Sequence, residues 1–260
     1  MRIGYPCINR SVGCTANHTF RLKSYSMRRL LDTVEQNLDC LLTILKYNAE
    51  HDIRFFRITS DLVPFASHPV CTANWRHQFA ATFQRIGRYV RRHGMRISMH
   101  PDQFVLLNAK DPAIVAAAIR ELRYHAEVLD LMGLGPSAKI VIHVGGVYGD
   151  REASLQRFAD TYGGLDRAVK RRLVIENDDV RFRLTDCLRV SARTGIPVVF
   201  DYLHDRVLPS PSHLSEKLDA AAATWKKADG PPILHYSSQQ PGARKGSHAQ
   251  TVDIRDVRRF

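Results

Sequence analysis

The chain has 260 residues, 44% of them hydrophobic and 25% charged, a balance that suits a globular domain with a full core and excludes a disordered or fibrous protein. Lys and Arg number 38 against 26 Asp and Glu, leaving a formal charge of +12 that points to a polyanionic partner. Nucleic acid is favoured over a lipid surface, because no lipid anchor accompanies the charge. No apolar leader follows Met1 and nowhere do about 18 apolar residues run together, so no membrane contact is expected and the cytoplasm is the expected compartment. Cys7, Cys14, Cys40, Cys71 and Cys187 form no CxxC pair, and their odd number is read as reduced thiols.

Residues 2–8 read as a first strand with Tyr5 and Asn9 at its exit, followed by a polar loop over 9–17. Helical spacing of Leu30, Leu31, Val34, Leu38, Leu41, Leu42 and Leu45 predicts a helix over 26–51. A second strand over 54–59 runs into a loop over 60–68, and a helix over 75–93 stops at Gly94. The third strand, 96–100, ends on His100 because Pro101 cannot continue a central strand. Asp111 and Pro112 open a helix that reaches Met132, and Gly133 and Gly135 close it. A strand over 139–144, a helix over 152–169, a strand over 172–177 and a helix over 184–194 stopped by Gly195 follow in turn. Then come a strand over 197–202, a helix over 211–228, a strand over 232–237 and a further helix opened by Asp253.

Apolar strands alternating with amphipathic helices indicate a parallel sheet covered on both faces. At this length the pattern predicts an α/β fold of (β/α)8 barrel type in one domain, 1–260. Only seven strands can be counted, so the last strand and helix are expected to be missing through C-terminal truncation.

The C-terminal strand ends collect His100, His143, Glu176, Asp201 with His204, and His235, while His68 and His248 lie in the loops after the second and seventh strands. Barrel enzymes place their sites on that face. Imidazoles and carboxylates in such number suit a cluster of divalent Zn²⁺ or Mn²⁺ ions, with Glu176 able to bridge two of them. Singly, each residue has a plainer reading: a hydrogen-bonded histidine, a tight turn after His143, a helix cap at Asp201. Gln103 and Phe104 form a polar and aromatic tip just past His100, suited to wedging into a base stack. Arg85, Arg88, Arg91, Arg92 and the run Lys170-Arg171-Arg172 offer cations for phosphates.

Seven ordered motifs then resemble the ultraviolet damage endonucleases: Gly4-Tyr-Pro-Cys-Ile-Asn9, Phe56-Arg-Ile-Thr-Ser-Asp-Leu-Val-Pro-Phe65 with His68, Ser98-Met-His-Pro-Asp-Gln-Phe104, Ile142-His-Val-Gly-Gly146, Ile175-Glu-Asn-Asp178, Phe200-Asp-Tyr-Leu-His204 and Leu234-His-Tyr-Ser-Ser238. The resemblance covers essentially the whole chain. It implies a monomeric barrel endonuclease, without an obligate protein partner, that acts on double-stranded DNA bearing pyrimidine dimers and 6-4 photoproducts. Such an enzyme nicks the damaged strand immediately 5′ to the lesion, leaving a 3′-hydroxyl and a 5′-phosphate. It further implies up to three divalent ions, typically manganese, held by His68, His100, His143, Glu176, Asp201, His204, His235 and His248. The lesion-probing pair would be Gln103 and Phe104, with Tyr5 and Asn9 contributing to the pocket.

The chain departs from the family at two points. A modifiable lysine at the metal site corresponds to Ile233 here, and a later strand carrying a glutamate ligand has no counterpart before Phe260. An abasic-site endonuclease of the endonuclease IV type, a sugar isomerase on the same barrel and a non-catalytic damaged-DNA binder are the alternative readings.

Overall fold

The computed structural model describes residues 1–258 and 260. Seven strands are ordered β1 (Gly4–Pro6), β2 (Phe55–Ile58), β3 (Arg96–Met99), β4 (Lys139–His143), β5 (Leu173–Glu176), β6 (Val198–Asp201) and β7 (Leu234–His235). Every described strand pairing is parallel. Ten α-helices intervene among the described residues: α1 (Met27–Glu50), α2 (Trp75–Gln78), α3 (Ala80–Arg92), α4 (Pro112–Leu131), α5 (Arg151–Gly163), α6 (Arg167–Lys170), α7 (Leu184–Thr194), α8 (Tyr202–Val207), α9 (Leu214–Ala223) and α10 (Ile254–Val257). This is the α/β alternation of a TIM-type barrel, one strand short of eight among the described residues. None of the described helices is long and apolar enough to cross a membrane.

The chain packs as two compact units, Met1–Phe104 with Ala116–Ile140 and Val105–Val115 with Val141–Phe260. In the first, the leucine stripe behaves as its spacing requires: Leu30, Leu38, Leu41 and Leu45 are fully buried on α1, which packs against α3. Each such side chain contributes roughly 1.5–3 kcal/mol through removal from water. Ser26 caps α1 by accepting the Arg29 N–H at 3.2 Å, and Asp111 accepts the Ala113 N–H at 2.8 Å to open α4. In the second unit, all four residues of β5 and of β6 are buried, as expected of strands covered on both faces. There α5 packs on α7 and α7 on α9. Gly195 ends α7 in the left-handed region at φ 73°, where a side chain would strain the backbone.

Several expectations change. The predicted 75–93 helix is two helices, because Phe79 leaves helical dihedrals (φ −104°, ψ 11°) and joins them. The 152–169 helix breaks after Gly163, since the glycine pair at 163 and 164 favours a stop over continuation. An unexpected helix, α8, begins directly after β6 because the Asp201 side chain caps it.

The expected set of reduced thiols is corrected as well: Cys14 and Cys40 form a disulfide with Cα atoms 6.0 Å apart, leaving Cys7, Cys71 and Cys187 free. The two cysteines are 26 residues apart, in the loop after β1 and on α1, so no local spacing announces the pair. Two of the cations expected to be available to phosphates make contacts within the protein. Arg172 is fully buried, and Arg91 Nη1 donates to the Met132 and Gly133 carbonyls at 2.8 Å, closing α4.

Candidate metal centre

The second unit brings six of the predicted ligands together at the ends of β4 to β7 and in the loops beyond. Glu176, Asp201 and His235 each offer a ligand atom within 4.8 Å of the others. Register explains part of this: Asp201 pairs with His235 across β6 and β7, while Glu176 pairs with Val199 on β6. His235 Nδ1 lies 2.5 Å from Glu176 Oε1, and donation there leaves Nε2 with its lone pair. His204 points Nδ1 at the Asn177 carbonyl, 2.9 Å away, which fixes the same tautomer. Its Nε2 then lies 3.3 Å from His248 Nε2. Two imidazole nitrogens bonded to one ion at about 2.1 Å stand roughly 3–3.4 Å apart, so this pair fits a shared ion. His143 stacks obliquely near His204, with ring centroids 5.6 Å apart.

Charge supports the same conclusion. Glu176 and Asp201 are both 98% buried, each with only 2% of its surface exposed. Burial and the neighbouring Glu176 carboxylate push the Asp201 carboxyl up to about 7. For His204, burial works against the charged form, but the Asp201 and Glu176 carboxylates and the Asn177 carbonyl outweigh it and raise the imidazole. Two crowded carboxylates facing imidazole lone pairs form a donor set that a divalent cation would neutralise. The residues fit the group.

Asn177 and Asn108 were not singled out from sequence, yet both are fully buried, and Asn177 directly follows Glu176. Asn177 clasps the Asp201 backbone, donating Nδ2 to its carbonyl at 3.0 Å and accepting its N–H at 2.8 Å. Asn108 does the same to Gly146, at 2.8 and 3.1 Å. A side chain on the intervening Gly145 would meet Asn108 Oδ1 at 2.3 Å, so glycine is required there. The available signal was an amide embedded in an apolar run, as in Val105-Leu-Leu-Asn108.

In the first unit, His100 Nδ1 faces the Pro101 carbonyl at 2.9 Å, and the His100 carbonyl accepts from Ser60 Oγ at 2.7 Å. His68 is exposed, and its Nδ1 accepts the Val70 N–H at 3.1 Å. Its loop is tied to α4: Tyr124 accepts the Val63 N–H and donates to the Ser60 carbonyl, both at 2.9 Å, and Ser67 bonds to Glu121. Tyr5 and Asn9 belong to one chain of hydrogen bonds, Asn9 Nδ2 to Tyr5 OH at 2.5 Å and Tyr5 OH to Asn48 Oδ1 at 2.6 Å. Gln103 is exposed, and Phe104 is 76% exposed. Ile233, in place of the expected lysine, is buried.

Comparison with known proteins agrees with this picture. The family described as UV-endonuclease UvdE matches residues 1–259. A "UV DNA damage endonuclease" of Clostridium perfringens (strain 13 / Type A) is 36% identical over 256 residues, covering 98% of this chain, which spans 62% of that relative's length. The crystal structure of SacUVDE superposes with a TM-score of 0.96 at 43% identity, covering 100% of this chain and 88% of that one. A structure of L-ribulose 3-epimerase shares the fold alone, with a TM-score of 0.57 at 13% identity over 99% of this chain and 85% of that one. The strand-end cluster, the fold and the sequence match agree: the chain belongs to the UV-endonuclease UvdE family.

Proposed function

We propose that this chain is a metal-dependent DNA repair endonuclease that nicks the damaged strand immediately 5′ to an ultraviolet photoproduct, leaving a 3′-hydroxyl and a 5′-phosphate. The observation that carries the reading is the buried group Glu176, Asp201 and His235, with His204 Nε2 and His248 Nε2 3.3 Å apart beside it, in a chain of this family. His143, Glu176, Asp201, His204, His235 and His248 hold up to three ions, and the sequence pattern adds His68 and His100 to the set. Manganese is the ion proposed, and the imidazole-rich donors also suit zinc. When bound, a divalent ion lowers the pKa of water and neutralises charge on a scissile phosphate.

The chain's own residues orient this chemistry. The Glu176 carboxylate holds the His235 ring through Nδ1, and the Asn177 carbonyl holds the His204 ring in the tautomer that frees Nε2. His68 carries its lone pair on the nitrogen that accepts from Val70, so it ligates only after giving up that hydrogen bond. Phe104 supplies an exposed ring to replace stacking lost when damaged bases leave the helix, with Gln103 beside it for their polar edges. Tyr5 and Asn9 contact the extruded bases. Asn9 uses both ends of its amide within the protein, donating to Tyr5 and accepting the Ser11 N–H at 2.7 Å, so the Tyr5 ring is the larger contributor.

The test is strand scission of three duplexes that differ at one position: a thymine dimer, an abasic site or undamaged thymines. The expected result is a single cut 5′ of the dimer and none in the undamaged duplex. Preference for the abasic duplex would move the assignment to an endonuclease of that class, and dimer binding without any cut would leave a damage-binding protein.

A further inference from the structure

We infer that Asn177 is a positioning residue for the ion centre, holding Asp201 and His204 at once through three hydrogen bonds. The inference rests on the metal reading above. The regular pairing of β5 with β6 ends at Glu176 and Val199, so Asp201, which pairs with His235 on its β7 side, has no described backbone rung on its β5 side. The Asn177 side chain replaces it, pairing with both the N–H and the carbonyl of Asp201 at 2.8 and 3.0 Å. Asp201 then does two things with its position fixed: its Oδ1 accepts the His204 N–H at 2.8 Å, and its carboxyl group lies in the ligand cluster. The carbonyl of the same asparagine accepts from His204 Nδ1 at 2.9 Å. Asparagine, aspartate and histidine therefore close a triangle, in which the direction of the His204 lone pair depends on where Asn177 holds the end of β6.

Chemistry selects the amide at this position. A carboxylate could accept from the Asp201 N–H but not donate to its carbonyl, and it would add a third buried negative charge beside Glu176 and Asp201. An apolar residue would leave both backbone groups of a buried strand end without partners. Asn108 supplies a control within the same unit. It makes the identical two-bond clasp, also fully buried, but on Gly146, which has no side chain to offer an ion.

The experiment titrates Co²⁺ into metal-free full-length wild type, Asn177→Ala and Asn108→Ala, reading affinity and the visible d–d spectrum. Asn177→Ala is expected to lose about 10–100-fold in affinity and to change the spectrum, as loss of an outer partner does. Asn108→Ala is expected to keep the wild-type spectrum and lose less than about threefold, below that range. Equal behaviour of the two variants would overturn the inference, because a purely structural role predicts it. Failure of wild type itself to bind Co²⁺, Mn²⁺ or Zn²⁺ would instead overturn the metal reading. Should Asn177→Ala fail to fold, the wild-type His204 Nδ1–H proton decides in its place. It should appear by NMR as a slowly exchanging resonance, both metal-free and with Zn²⁺, and fast exchange would contradict the triangle.

Discussion

The ends of β5 to β7 and the tip after β3 are built on opposite principles. Glu176 and Asp201 are almost fully buried and held by neighbours: Glu176 Oε1 by His235, Asp201 Oδ1 by the His204 N–H, and the Asp201 backbone by Asn177. Phe104, by contrast, leaves 76% of its surface exposed, although it is one of the larger apolar side chains of the protein. The first arrangement fixes charge in advance, which is what chemistry on a phosphodiester needs. The second leaves an apolar face for something outside the chain to cover. Under the proposed function, one region holds ions and the other probes bases.

That contrast breaks most completely at the buried end. Asp201→Asn or Glu176→Gln should reduce nicking of a dimer-containing duplex to background and remove ion binding, with affinity for damaged DNA in chelator kept. A variant that still nicks at the wild-type rate would refute the ligand assignment. The next largest effect belongs to the loop after β1. Opening the Cys14–Cys40 bridge with Cys14→Ser should lower stability by about 2–4 kcal/mol, as expected for a bridge closing a loop of this length. Thiol titration of the unreduced, denatured wild type should count the three free cysteines, and a count of five would contradict the bridge.

Phe104→Ala tests the probing end. Losing one base-stacking ring should cost about 1–3 kcal/mol of preference for damaged over intact DNA, with ion content unchanged. Unaltered discrimination would rule the wedge out. The smallest effect is one of pH. Asp201 has a folded-state carboxyl near 7, above the ordinary value of about 3.9, so its contribution to stability is complete below about pH 4 and is lost as pH rises through about 7. In chelator the melting temperature should fall across that window by the equivalent of roughly 1–2 kcal/mol, since the proton is shared with Glu176. Mn²⁺ should cancel the fall, and Asp201→Asn should flatten the profile. An unchanged slope in that variant would assign the effect elsewhere.

Much of this contrast was legible in the sequence. His100 before Pro101 marked a strand end, Asp111 and Gly195 marked helix ends, and the exits of successive apolar runs supplied the histidines and carboxylates. What escaped was partnership across long separations. The Asn177 and Asn108 clasps need two strand ends placed side by side, and nothing in either amide names its partner. Helix α8 escaped for a related reason, since a cap at Asp201 and a ligand at Asp201 leave the same residue in the sequence while the structure shows the cap directly. The disulfide joins a loop to a helix with no spacing motif, so a count of five cysteines suggested the opposite.

On the proposed function, the cluster at β5 to β7 holds the ions on which cutting depends. The most direct test titrates Mn²⁺ into metal-free protein and follows both bound ion and nicking of a duplex with one thymine dimer. No cut is expected in chelator, and a single cut 5′ of the dimer should rise with occupancy and saturate with it. Cutting without bound ion, or full occupancy without any cut, would contradict that function.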